Sequence, residues 1–249
     1  MNLAMKTLVP LIGAVLMLPA VQAGAAVVFS DGTMNTALFS ATPSYASAGV
    51  SITTSTVGGQ LRSVTPTMSG QTGYAMMTGY IYGAFNVDPA TDGAITSLDF
   101  AIDRGAEILV NGSAAPGLTL TARALVLQGG QYFMSVAPPV VPLPLPALTP
   151  ISVAGLTQAD FGLVDWSSGA INNAIHPDFA GSAMSFGFGG RIGIAGNAST
   201  DQVQLSALFD NFRVEIASAA NGVPEPGALA LALVALAGAG LGRRRVSAR

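Results

Sequence analysis

The chain has 249 residues, half of them apolar and 9% charged, with no cysteine and one histidine. Its formal net charge is −3, but the segment from Ala26 to Gly222 holds five arginines, no lysine and twelve carboxylates, 5 − 12 = −7. That balance excludes a nucleic-acid footprint, which needs clustered cations, and the missing thiols exclude cysteine catalysis and cysteine-ligated zinc or iron.

At the N-terminus Lys6 supplies a positive charge, and the stretch from Leu8 to Ala20 is apolar but too short to span a membrane. Small residues follow. Cleavage after Ala23 places Val21 and Ala23 at the recognition positions, and cleavage after Ala25 places Ala23 and Ala25 there. Residues 1–25 therefore read as a signal peptide, a helix handed to the secretion machinery, with an uncleaved anchor or a buried helix as the alternatives.

The body, residues 26–222, reads as a run of strands. Val27–Ser30, Val50–Thr56 and Tyr74–Val87 come first. Leu98, Phe100 and Ile102 then alternate with Asp99, Ala101 and Asp103. Leu118, Leu120, Ala122, Ala124 and Val126 alternate with Thr119, Thr121 and Arg123. Tyr132–Val136, Ala183–Gly189 and the alternation of Phe212, Val214 and Ile216 complete the set. A period of two predicts strands with one buried and one wet face. Gly, Asn, Asp, Ser and Pro punctuate them. Short helices are expected only around Leu156–Phe161 and Gly169–Ile175. Strands without intervening long helices and without an internal repeat predict an all-β fold, an antiparallel sandwich or jelly roll. Its length suffices for a core without disulfides.

Two loops stand apart. Asp88-Pro89-Ala90-Thr91-Asp92-Gly93 is acidic, and Asp88 and Asp92 with backbone carbonyls would offer calcium hard oxygen ligands. The same residues also suit a plain turn. Residues 138–150 are proline-dense and read as a stiff polyproline excursion between two strands, since proline cannot sit in a central strand; a ligand for a proline-binding groove is the alternative.

Catalytic constellations are sparse. His176 is the single histidine, in the turn Ile175-His176-Pro177-Asp178, and no Gly-x-Ser-x-Gly elbow accompanies it. Asp99 and Asp103 share a strand face with Cα atoms ~13 Å apart at ~3.3 Å per residue, a solvated face rather than a facing glycosidase pair. Tyr80 and Tyr82 share a parity and read as sheet residues. Trp166 lies in a polar loop; an exposed aromatic would suit a sugar ring. Ala207-Leu208-Phe209-Asp210-Asn211-Phe212-Arg213-Val214-Glu215-Ile216 resembles the closing strand of exported carbohydrate-binding and concanavalin-like β-sandwich modules.

The last segment, residues 223–249, has three parts in order. Val223-Pro224-Glu225-Pro226 is followed by an uncharged stretch from Gly227 to Gly242 and by Arg243, Arg244 and Arg245. A helix over 227–242 would be about 24 Å long, a marginal transmembrane span whose arginines stay on the cytoplasmic side. The prolines hold an extended segment that a protease or transpeptidase can grip. These residues resemble the PEP-CTERM sorting signal of Gram-negative bacteria. The resemblance implies Pro224, Glu225 and Pro226 as recognition motif and Arg243–Arg245 as topology lock. It further implies processing by an exosortase, a membrane-embedded cysteine enzyme, and a destination at the cell surface or in the biofilm matrix beside exported polysaccharide. The expectation for the body is a non-catalytic structural or adhesive role; a calcium-dependent carbohydrate-binding module and an exported hydrolase are the alternatives.

Overall fold

The computed structural model describes residues 26–219, apart from 116–117, 137–141 and 144–146. In chain order its strands are β1 (Ala26–Asp31), β2 (Phe39–Ala41), β3 (Tyr45–Ala46), β4 (Thr53–Val57), β5 (Gln60–Val64), β6 (Gly73–Val87), β7 (Ile95–Val110), β8 (Ser113–Ala114), β9 (Leu118–Gln128), β10 (Gln131–Ser135), β11 (Pro142–Leu143), β12 (Thr149–Leu156), β13 (Phe161–Asp165), β14 (Ala170–Asn172), β15 (Met184–Ala195) and β16 (Val203–Ser218). A one-turn helix, α1 (Pro89–Asp92), joins β6 to β7, and 3-10 turns lie at Thr36–Leu38 and Gln158–Asp160.

The strands form two sheets. One runs β12-β7-β16-β5-β4, with β1 also on β16 and β8 on β7. The other runs β14-β13-β10-β9-β15-β6-β2, with β11 also on β9 and β3 on β6. Every strand pair is antiparallel. The described residues form two antiparallel sheets, consistent with the expected all-β sandwich.

The alternation read from the sequence sets the faces. On β7, Leu98, Phe100 and Ile102 are buried, and on β16 Phe209, Phe212, Val214 and Ile216 are buried. They meet Tyr80, Leu120, Ala122, Val126 and Phe188 of the other sheet in one cluster. Phe188 is its hub, with ring centroids 5.0 Å from Phe209 and 5.4 Å from both Phe212 and Tyr80. Each such ring removed from water contributes roughly 1.5–3 kcal/mol. Two polar ties cross the interior. The Tyr80 hydroxyl meets Thr54 Oγ1 at 2.8 Å and also the hydroxyl of Ser63. Arg104, fully buried on β7, donates from Nη1 to the Leu120 carbonyl at 2.6 Å.

Bulges let the long strands curve. On β15 the register shifts between Ser185 and Gly187, where the chain passes so close to β6 that a Cβ on Gly187 would lie 1.9 Å from the Tyr80 carbonyl oxygen. On β16 it shifts between Asp210 and Arg213, with Asn211 at φ 51°.

Three expectations need correction. The helix expected around Gly169–Ile175 is a turn followed by β14, because Ala170–Asn172 complete a hairpin with Leu163–Asp165. The strand expected over Val50–Thr56 starts only at Thr53 and is exposed throughout, since β4 is a sheet edge while Val50 and Ile52 pack against the core. The helix expected around Leu156–Phe161 is a single 3-10 turn, Gln158–Asp160. Most of the proline-rich segment lies outside the described residues. Pro150 sits on β12, an edge strand, where its missing N–H costs no ladder bond.

Candidate functional site

The outer face of the nine-stranded sheet departs from simple alternation. On β9 the positions between the core residues carry Thr121, Arg123, Leu125 and Leu127, and on β15 Arg191 and Gly193 share that face. Part of the face is covered. Met77, Ile81, Leu125, Met134 and Val164 form a second buried cluster, with Tyr45, Leu127, Tyr132, Trp166 and Ile171 packed on it.

Two arms make the cover. One is β3, where Tyr45 pairs with Met77 of β6. The other is the β13–β14 hairpin, whose turn carries Trp166 and Gly169. The Trp166 ring meets Tyr132 edge-on at 5.8 Å and lies over Gly79, where a Cβ would be 3.1 Å from the indole. At Gly169 the backbone is left-handed, φ +68°, and a Cβ would be 2.6 Å from the Tyr45 ring. Glycine answers both demands, since it has no side chain and tolerates positive φ. Asp165 organises the turn. Its carboxylate accepts from the Ser167 N–H at 2.9 Å and from the hydroxyls of Ser167 and Ser168 at 2.6 Å each. These bonds, Ser167's first, hold its carboxyl down at about 2.

Beside this cover the sheet is open among the described residues, and there Arg123 and Arg191 stand. Arg123 pairs across to Gly189 and Arg191 to Thr121, so the two arginines are diagonal neighbours on adjacent strands. Diagonal Cα positions lie roughly 7–8 Å apart, within reach of long side chains. Arg123 donates from Nη1 to the Ser135 carbonyl at 2.5 Å, and Arg191 from Nη1 to the Gly169 carbonyl at 3.2 Å. The ion pairs among the described residues are elsewhere, Arg62–Glu107 at 3.7 Å and Arg213–Glu215 at 2.7 Å. Burial, and then the charge of Arg191, pulls the Arg123 guanidinium below its usual range. A cleft of ≈ 220 Å³ flanks the pair toward Met77, Val136, Ile171 and Asn173, and another of ≈ 360 Å³ flanks it toward Tyr74, Ala75, Thr121 and Gly193. A further one of ≈ 590 Å³ lies beyond Tyr45 and Trp166, with Ser44, Ser47, Gln71 and Ser167 on its walls.

The residues singled out in the sequence are dispersed. Asp88 caps α1, its Oδ1 accepting from the Ala90 N–H at 3.0 Å, and Asp92 Oδ2 accepts from the Asp88 N–H at 2.8 Å. Both carboxylates thus face their own backbone, and among the described residues no three His, Asp or Glu side chains converge on a metal position. Asp99 accepts from the Gly155 N–H and Asp103 from Asn211 Nδ2, both at 2.7 Å. His176 places Nδ1 2.6 Å from the Phe161 carbonyl oxygen. Tyr80 is a core residue, and Trp166 is half-buried in the second cluster rather than free in a loop. The signal segment with Ala23 and Ala25, the motif Val223–Pro226, the apolar stretch 227–242 and Arg243–Arg245 lie outside the described residues.

Sequence reasoning missed the arginine pair, because Arg123 and Arg191 are far apart in the chain and only strand register makes them neighbours. It also missed a carboxylate group at the β16 bulge, where burial, then Asp103 and Asp31, push the Asp210 carboxyl up. No family model, no curated protein and no solved structure matches the chain.

Proposed function

We propose that the chain is an exported cell-surface or extracellular-matrix protein, sorted by an exosortase-type system, with a non-catalytic structural or adhesive role in the exopolysaccharide layer. The observation that carries this reading is the order Val223–Pro226, uncharged stretch 227–242, Arg243–Arg245, together with Lys6 followed by the apolar Leu8–Ala20.

Each part has a physical task. The N-terminal helix engages the secretion machinery, and the body crosses the inner membrane behind it. The apolar stretch then forms a transmembrane helix that halts in the bilayer, and three arginines too costly to move through hydrocarbon keep the tail's end in the cytoplasm. At about 24 Å the helix is a marginal span, suited to a transient anchor. The Pro-Glu-Pro segment is left extended just outside, where the processing enzyme acts. The non-catalytic reading of the body is supported by composition, with one histidine and no cysteine in the chain.

Replacing Pro224, Glu225 and Pro226 together with alanine is expected to leave export intact and to block C-terminal processing. Intact mass spectrometry of the surface fraction decides it: the same mature C-terminus in variant and wild type would sink the sorting assignment. For the body, the measurement is binding of the full chain, held in mild detergent, to the producing organism's own exopolysaccharide, with calcium and with chelator. Saturable binding is the expected result. Loss in chelator would assign calcium and direct attention to Asp88 and Asp92. Depolymerisation of the polysaccharide would replace the adhesive reading with a hydrolase.

A further inference from the structure

We propose that Arg123 and Arg191 form a binding site for the carboxylate groups of an acidic polysaccharide laid along the open outer face of the nine-stranded sheet. The inference deepens the matrix reading above and rests on it, because it names the polymer class that such a protein would hold.

Charge is the first ground. Between Ala26 and Gly222 the chain has twelve carboxylates and five arginines. Two of those arginines stand as diagonal neighbours on β9 and β15, and neither has a carboxylate partner among the described residues. Surface cations on an acidic body are easily neutralised by a neighbouring acid. Here two guanidiniums repel each other, and each is fixed instead by one backbone carbonyl, Ser135 for Arg123 and Gly169 for Arg191. That arrangement spends one donor of five on each and leaves planar forks for bidentate contact with a carboxylate. The charge of Arg191 bears on Arg123, so an anion between them relieves a repulsion already present.

Shape is the second ground. The pair is flanked by a cleft on each side, and both arginines line both clefts. A free anion needs only the point between two guanidiniums. A trough that continues on either side suits a chain passing through. Ile171 and Val136 on one side and Ala75 and Gly193 on the other offer the apolar, low-relief surface that pyranose C–H groups meet, and Asn173 adds polar atoms for hydroxyls.

Other anionic polymers fit less well. Nucleic acid requires many phosphate contacts, and two cations on a body of charge −7 supply too few. A peptide that docks by adding a strand finds no free backbone edge there, because β15 is paired on both sides, with β6 and β9.

The test uses the full chain in mild detergent with oligogalacturonate as the acidic probe, dextran as the neutral one, and galacturonic acid and inorganic phosphate as free anions. The proposal expects saturable oligogalacturonate binding that weakens as salt rises. It expects at least a tenfold loss in Arg191→Gln, a partial loss in Arg191→Lys, and no change in Arg213→Gln, an exposed arginine already paired with Glu215. Far-UV circular dichroism of each variant separates lost binding from lost folding, and Arg191→Lys, which keeps the charge and the stem, serves if the glutamine variant fails to fold. Equal affinity of wild type and the Arg191 variants overturns the site. So does an equal loss in Arg213→Gln. Phosphate or monomeric galacturonic acid binding as tightly as the oligomer overturns the polymer assignment. Binding of dextran or the native matrix polymer that ignores Arg191 overturns the arginine site but leaves the matrix reading standing, whereas failure to bind any polymer removes both.

Discussion

Tyr80 shows how much one hydroxyl can organise. Its ring belongs to β6, yet its Oη reaches across the interior to Thr54 of β4 and Ser63 of β5. Burial pushes the phenol up from its usual value, and the bonds from Ser63 and Thr54 pull the other way. Removing the oxygen leaves the buried Ser63 hydroxyl without that partner. Tyr80→Phe is therefore expected to lower stability by about 1–3 kcal/mol in urea unfolding at neutral pH. The pH dependence has a definite sign. The folded state keeps a proton that the unfolded chain releases near pH ~10, so this contribution is complete below that pH and is lost as pH rises through the folded value. Wild-type stability should fall faster than that of Tyr80→Phe above about pH 10; parallel curves would contradict the assignment. The parity of Tyr80 marked it as a sheet residue, but nothing in the sequence pointed to Thr54 or Ser63. Arg104 is its counterpart from the other sheet. One of its nitrogens bonds to the Leu120 carbonyl, while Nε and Nη2 meet no acceptor among the described residues.

At the scale of elements, the β13–β14 hairpin is where local pattern and final structure part. The sequence reads Gly169–Ile175 as a short helix. The chain instead turns on Asp165 and Gly169, and the hairpin lies against the face of its own sheet. A trace of this was legible. The alternation on β9 fails at Leu125 and Leu127, where both faces become apolar, as in a strand covered on two sides. Which segment supplies the cover depends on Tyr45, more than a hundred residues upstream of Trp166 in the same cluster. Trp166 is the single tryptophan, so its fluorescence reports on this arm alone. Tyr45→Ala is expected to shift its emission to longer wavelength in the native state while far-UV circular dichroism stays unchanged, because the arm loosens and the sandwich does not depend on it. An unshifted spectrum would mean that the hairpin holds without β3.

The molecule as a whole is a sandwich closed by aromatic side chains. Phe39, Tyr80 and Phe188 from one sheet meet Phe209 and Phe212 from the other. Phe209 is fully buried at the point where the sheets touch, with its ring 3.0 Å from where a Cβ on Gly190 would stand. Phe209→Ala is expected to cost about 3–5 kcal/mol by chemical denaturation, since the cavity lies between two layers that cannot both collapse into it. A loss under about 1 kcal/mol would show that the layers close over the gap.

What the sequence determined by itself was whatever local chemistry fixes. Period-two alternation in β7, β9 and β16 made sheets the only way to bury those apolar faces, and the absence of long amphipathic helices left all-β architecture. The proposed sorting reading is likewise linear, because an apolar stretch and three adjacent arginines would act on a membrane through their order in the chain. The proposed binding face belongs to the tertiary structure. Arg123 and Arg191 become neighbours only through the register of β9 on β15, and hydrogen bonding between distant strands leaves no mark on local composition. The same holds for the cover over Leu125 and for Tyr80's cross-sheet bonds: each needs two segments that meet only once the two layers are in place.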